Sequence, residues 1–183
     1  MIARCFVALE IGAQALGAAD EAQRLLDATV VRKTAPASMH VTLKFLGEVD
    51  VDAVAREVFA AIAPLADGPP MALGEGRVEG FPSTGRAHVV VLECAGVDPR
   101  VAELASRAED AAAALGVARE ERAFRPHLTL ARSKRDYDAR KIAARFGARP
   151  LGLAGRLVLM ESTASGYAVL ASVSPTTPRS ESC

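Results

Sequence analysis

Hydrophobic residues fall along this chain in runs of two kinds. Residues 2–10, IARCFVALE, are rich in Ile, Phe, Val and Leu, as a buried strand would be. Residues 13–31 are rich in Ala, Leu, Gln and Glu and predict a helix. Residues 39–46, MHVTLKFL, alternate: Val41, Leu43 and Phe45 face one way, and His40, Thr42 and Lys44 the other. Asp50 can cap a helix whose apolar face is Val51, Val54, Val58, Ile62 and Leu65. Gly68-Pro69-Pro70 breaks the chain. A strand is predicted from about 71 to 79, a turn over 80–85, and a strand over 86–94. Asp98-Pro99 opens a helix that runs to Leu115, with Gly116 as its stop. A charged loop, the strand FRPHLTLAR, a short helix to Gly147 and strands near 155–163 and 166–173 complete the order.

That order repeats. Strand, helix, HVTL strand, helix is followed by strand, helix, HLTL strand, helix. The pattern predicts an α+β fold of two pseudo-symmetric lobes, and strands that mix with helices without strict parallel crossovers agree. Residues 1–174 should form one bilobal domain. Residues 175–183, rich in Pro, Ser and Thr, should form a flexible tail.

Composition narrows the function. The 183 residues hold 22 Lys plus Arg against 22 Asp plus Glu, half are hydrophobic, and there is no Trp. This is too apolar for a disordered chain and too neutral for a protein that coats nucleic acid. Charge is nevertheless uneven: residues 119–149 carry ten Lys/Arg and four Asp/Glu, a basic stretch that reads either as a solvated loop and helix or as an anchor for a nucleic-acid end. Three cysteines without a CxxC pair argue against a disulfide framework or a zinc knuckle, and Cys5 and Cys94 read as packing residues. Glu10 interrupts any signal-peptide core, and no apolar run is long enough to span a membrane. A soluble, cytoplasmic protein is expected.

The chemistry sits in two segments, His40-Val41-Thr42-Leu43 and Pro126-His127-Leu128-Thr129-Leu130. On a strand, the His and Thr of each share one face, roughly 6–7 Å apart. Either His-x-Thr alone would be a weak signal; two of them, using two of only three histidines, are specific. Opening a cyclic phosphodiester with water needs a base for the water and an acid for the leaving alkoxide. Paired imidazoles can serve as both near neutrality. Threonine hydroxyls can meet the non-bridging oxygens where charge builds. Nothing around the histidines has metal-ligand spacing, so neither metal nor cofactor is expected.

With these motifs the sequence resembles the 2H phosphoesterase superfamily, in particular the RNA 2′,3′-cyclic phosphodiesterases once called 2′-5′ RNA ligases. The likeness includes RCFVAL, HVTLKFLGEV, GFP, FRPHLTLAR and LVLMEST followed by GYAVL. The resemblance implies two lobes, each an antiparallel sheet with helices outside, flanking a central cleft with one HxTx motif per lobe. It implies His40 as proton donor, His127 as proton acceptor, and Thr42, Thr129 and Arg132 as phosphate-binding residues. The implied partners are RNA 3′ ends or nucleotides bearing a 2′,3′-cyclic phosphate, bound by a monomer. Reversible 2′-5′ ligation, a cyclic phosphate on a small nucleotide, and a non-catalytic RNA-end binding module are the alternatives. Many members carry Trp before the first motif and after GFP; here VRKTAPASMH and RAHVVVLEC stand there.

Around the motifs, parity assigns further residues. Lys44 shares the face of His40 and Arg125 that of His127, so both are possible substrate contacts. Arg132 joins that face only if the strand ends or bulges first. Phe45 has core parity, which leaves Phe81, in the turn, as the stacking candidate. His88 lacks a Thr two residues on and reads as structural or cleft-edge.

Overall fold

A computed structural model describes residues 1–176. The expected tail therefore lies, from residue 177 onwards, outside the described residues. The core is one antiparallel sheet. Its strands are β1 (Ile2–Ile11), β2 (Val31–Lys33), β3 (His40–Asp50), β4 (Glu75–Phe81), β5 (Ala87–Ala95), β6 (His127–Tyr137), β7 (Ala148–Pro150), β8 (Ala154–Thr163) and β9 (Gly166–Val173). They run in the order β7-β4-β5-β6-β3-β1-β8-β9, with β2 added to β6.

The sheet divides at its centre. β3 and β6 share a single register pair, Val41 with Leu128. One half is β3-β1-β8-β9; the other is β7-β4-β5-β6 with β2. Each half is built around a strand buried on both faces. In β1 the run Phe6-Val7-Ala8-Leu9 is 2% exposed or less. In β5, Val90, Val91 and Leu92 are fully buried. These are the continuous apolar runs that a doubly covered strand requires.

Helices cross between the halves. α1 (Ala13–Arg24) follows β1 of the first half but packs under β4, β6 and β7 of the second. α4 (Pro99–Ala114) follows β5 of the second half and packs under β3 of the first. Asp98 caps α4 by accepting from the Arg100 amide, with Pro99 in its first turn. Val51–Val54 (α2), a π-helical turn over Ala55–Phe59 and Ala60–Ala66 (α3) form the helical stretch read from the sequence, with Val54, Val58 and Ile62 buried. Asp50 caps it through the Ala53 amide. α5 (Arg140–Phe146) packs on β4.

Several boundaries differ from the sequence reading. The first helix stops at Arg24, not 31. Asp27 accepts from both the amide and the hydroxyl of Thr29, a local turn that outcompetes the helix, and the β-branched Val30-Val31 then leads into β2. β4 begins at Glu75; residues 71–74 instead bond to Leu151, Gly152 and Ala154 through Gly74, Leu73 and Met71 respectively. β6 begins at the histidine itself and continues to Tyr137. Cys5 and Cys94 are buried, as read, and burial pushes the Cys94 thiol up to about 12. No helix among the described residues is long and apolar enough to cross a membrane.

Candidate active site

The two motifs meet at the centre of the sheet. Val41 and Leu128 pair across the junction and point into the core, both fully buried. Extending that antiparallel register by one residue sets His40 opposite Thr129 and Thr42 opposite His127. All four are half-buried and share the other face. Two imidazoles and two hydroxyls from different halves thus gather at one place.

Both strands bulge at the same point. In β3, Thr42 pairs with Ala8 and Lys44 with Val7, so Leu43 is extra. In β6, Thr129 pairs with Val91 and Ala131 with Val90, so Leu130 is extra. A bulge of one residue reverses parity beyond it. This decides the alternatives that simple alternation left open. Arg132 is exposed and turns to the His127 face, where its charge helps lower the His127 pKa. Phe45, its counterpart, is 64% exposed rather than core, and packs 5.9 Å from Phe6. Lys44 is corrected in the opposite sense. It is 7% exposed and turns away from the histidines to the helix side, where its Nζ donates to Glu109 and to the Ala118 carbonyl at 2.9 Å each.

His40 stacks on Phe6 at 4.8 Å and meets Tyr167 edge-on at 5.3 Å. Its Nδ1 is buried and makes no well-formed hydrogen bond. Burial pushes its pKa down to about 4; the backbone of Ser38 counteracts this and the nearby His127 adds to it. His127 is also lowered, chiefly by burial. Its Nδ1 lies 2.7 Å from the Arg125 carbonyl, which together with Glu93 counteracts the shift. A carbonyl can only accept, so Nδ1 carries the proton and Nε2 of the neutral ring keeps its lone pair.

Arg125 lies at the site but not free for a substrate. It grips the Glu93 carboxylate through Nε at 2.8 Å and a second nitrogen at 2.5 Å. Its guanidinium also sits 5.0 Å over the Phe81 ring, and Phe81 meets His127 edge-on at 5.2 Å. Phe81 is therefore at the site as expected. His88 is not: it is exposed, with Nε2 3.0 Å from Asp136. A groove of about 630 Å³, lined by Ile2, Phe45, Val49, Leu115 and Val117 among others, shares only Phe45 with the histidine face.

Parity missed Phe6, Tyr167, Glu10 and Glu93. Glu10 pairs in register with His40, and Glu93 with His127. The signal was the matching place of the two glutamates at the ends of the apolar runs FVALE and VVVLE, each destined to lie beside a motif strand. Among the described residues, no three His, Cys, Asp or Glu gather where they could hold a metal ion.

This doubled His-x-Thr site on a two-halved antiparallel sheet marks a class, and comparison with known proteins gives that class its name. The profile of the 2′-5′ RNA ligase superfamily matches residues 13–163, and the chain belongs to that superfamily. No curated protein matches it by sequence. Among solved structures, Escherichia coli LigT without ligand is similar at a TM-score of 0.73 and 23% identity, over 96% of this chain and 99% of that one. A protein described as a phosphoesterase is similar at 0.76 and 21%, over 97% and 100%. Escherichia coli LigT complexed with 3′-AMP is similar at 0.71 and 22%, over 96% and 99%.

Proposed function

We propose that this protein is a phosphodiesterase that opens 2′,3′-cyclic phosphates at RNA 3′ ends, without a metal, leaving a 2′-phosphomonoester. The observation that carries this reading is the register of the two motifs, which sets each histidine opposite the other motif's threonine at the junction of the halves. A cyclic phosphate placed there would have an imidazole on either side and a hydroxyl beside each. His127 Nε2 takes a proton from water, whose oxygen bonds to phosphorus. The bond from phosphorus to O3′ breaks, and His40 delivers its proton to that oxygen. Thr42, Thr129 and Arg132 meet the non-bridging oxygens. A buried His40 that resists protonation in the free protein must gain its proton as the anionic phosphate arrives, because a nearby negative charge raises an imidazole pKa. The 3′-AMP bound to LigT supports a nucleotide as ligand.

The test is hydrolysis of 2′,3′-cyclic AMP and of an RNA oligomer with a cyclic 3′ end, in EDTA. Wild type should turn over both to 2′-phosphates, and His40→Ala and His127→Ala should each lose at least about 10²-fold in kcat. Full activity in both variants would overturn the reading. Binding without turnover by wild type would favour an RNA-end binding module instead.

A further inference from the structure

Two buried polar contacts on the helix side of the sheet are unaccounted for by the chemistry above, and they match. In the second half, Gln23 of α1 is 8% exposed. Its Nε2 donates to the carbonyls of Leu130 and Thr34, both at 2.8 Å. Leu130 is the bulge residue of the second motif, and Thr34 lies in the segment that leads into His40. In the first half, Glu109 of α4 holds Lys44, which directly follows the bulge of the first motif, at 2.8 Å. Lys44 also donates to the Ala118 carbonyl, and Glu109 accepts from the Glu120 amide at 3.0 Å. Ala118 and Glu120 lie in the segment that leads into His127.

Each contact therefore fastens the motif strand of one half to the approach segment of the other, through a helix that has itself crossed over. On the Gln23 side the backbone shares the task, since β2 pairs with β6 over Val31–Lys33 and the Thr34 amide donates to the Leu130 carbonyl at 2.8 Å, whereas the motif strands β3 and β6 themselves share one register pair. Stability is a poor explanation for the charged contact. A buried Lys–Glu pair exchanged whole for apolar residues usually costs nothing. The position in β6 that matches Lys44 is Ala131, so the second half does the same task with a backbone carbonyl and an amide side chain.

We infer that Gln23 and the Lys44–Glu109 pair are positioning residues, two clamps that set the spacing of His40 and His127 across the junction. The inference rests on reading those histidines as the acid–base pair. Misplacement by about 1 Å can cost roughly 10² in rate, so loosening a clamp should act on turnover rather than on binding.

The experiment uses the full chain with Gln23→Leu, Lys44→Met, and the double variant Lys44→Met/Glu109→Met. The double variant leaves no unpaired buried charge and so guards against a single variant that fails to fold. Ile62→Val and Ile62→Ala, in α3, provide controls with a matched loss of unfolding midpoint. Steady-state kinetics on 2′,3′-cyclic AMP should show kcat reduced about tenfold or more in each clamp variant, with KM within about twofold. The ¹H–¹⁵N imidazole resonances of His40 and His127, with and without inorganic phosphate, should shift in the clamp variants and stay in place in the controls. Lys44→Arg, which keeps the donor, should restore both readouts. Clamp variants that match their stability controls in kcat and in imidazole shifts would overturn the inference. If wild type fails to turn over any cyclic phosphate, the proposed function fails, and the imidazole shifts alone still decide whether the clamps position the pair.

Discussion

His40 and His127 hold matching places on matching strands, each beside a glutamate from the neighbouring strand: Glu10 for the first, Glu93 for the second. Both glutamates are held bidentately by an arginine, Glu10 by Arg156 at 2.7 and 2.8 Å and Glu93 by Arg125. From that point the halves part. Arg125, two residues before His127, lends its own carbonyl to that ring, whereas Arg156 comes from β8 and holds Glu10 from a different strand. His40 has instead an aromatic bed of Phe6 and Tyr167, and its buried Nδ1 feels the backbone of Ser38 without a well-formed hydrogen bond. A duplicated backbone thus carries two unlike imidazoles, which is what an acid and a base require.

The largest expected effect tests which imidazole plays which part. The tautomer of His127 suits a base, yet the depressed pKa of His40 would also suit one, and the carbonyl and Glu93 beside His127 would steady an imidazolium there. A phosphodiester with a phenolic leaving group of low pKa needs no acid. With such a substrate, the base variant should keep its full loss of at least about 10²-fold, while the acid variant recovers nearly all of it. We expect His127→Ala to stay impaired and His40→Ala to recover. The opposite pattern would exchange the roles while leaving the reaction class intact.

A second expected effect is on stability against pH. Unfolded, a histidine titrates near its ordinary 6.5; folded, His40 resists protonation down to about 4. Below pH 6.5 the unfolded chain therefore binds a proton that the folded chain refuses. The stability present in full above 6.5 is lost as pH falls to 4, by an amount on the order of 3 kcal/mol. His40→Gln should flatten that limb of the curve, and His127→Gln should flatten it less, since the Arg125 carbonyl and Glu93 partly offset the burial of His127. Urea unfolding at pH 7 and pH 4.5 for the three proteins measures it. Equal pH dependence in wild type and His40→Gln would show that His40 is solvated in solution.

Much of this site was legible before any coordinates. The repeated element order, the doubled motif and the core parity of Val41 and Leu128 follow from alternation alone, because a half-buried strand has period two. What alternation could not show is the extra residue at Leu43 and Leu130, since a bulge is a property of two strands in register. Every error of facing at the site comes from it: Lys44 was expected on the site and lies behind it, while Phe45 was expected in the core and stands exposed. The short β2 and β7 were missed for another reason. Three residues are too few to show a period, and both are placed by the strands they join.

The bulge also supplies a smaller, opposed pair of effects. Arg132 and Phe45 are counterparts beyond it, one cationic and one aromatic. Arg132→Met should weaken binding of inorganic phosphate and raise KM for a dinucleotide with a 2′,3′-cyclic end alike, by about tenfold, if Arg132 makes the charge-assisted phosphate contact proposed above. Phe45→Ala should leave inorganic phosphate binding unchanged and raise KM only for substrates with a base to stack, by roughly fivefold. Isothermal titration with phosphate and kinetics with the oligomer separate the two. Equal responses in both assays would mean that the halves do not divide phosphate and base between them.

The smallest expected effect concerns the one histidine without a counterpart. His88 belongs to β5 of the second half, and its exposed ring reaches Asp136, which Arg86 also holds at 2.8 Å. An exposed contact of this kind contributes little. His88→Ala should keep kcat within about twofold of wild type and leave the urea midpoint where it is. The value of so small an effect lies in what it separates. Symmetry, not histidine as such, is the argument for His40 and His127. If removing the unpaired histidine cost as much as removing a paired one, the case from matched halves would lose its force.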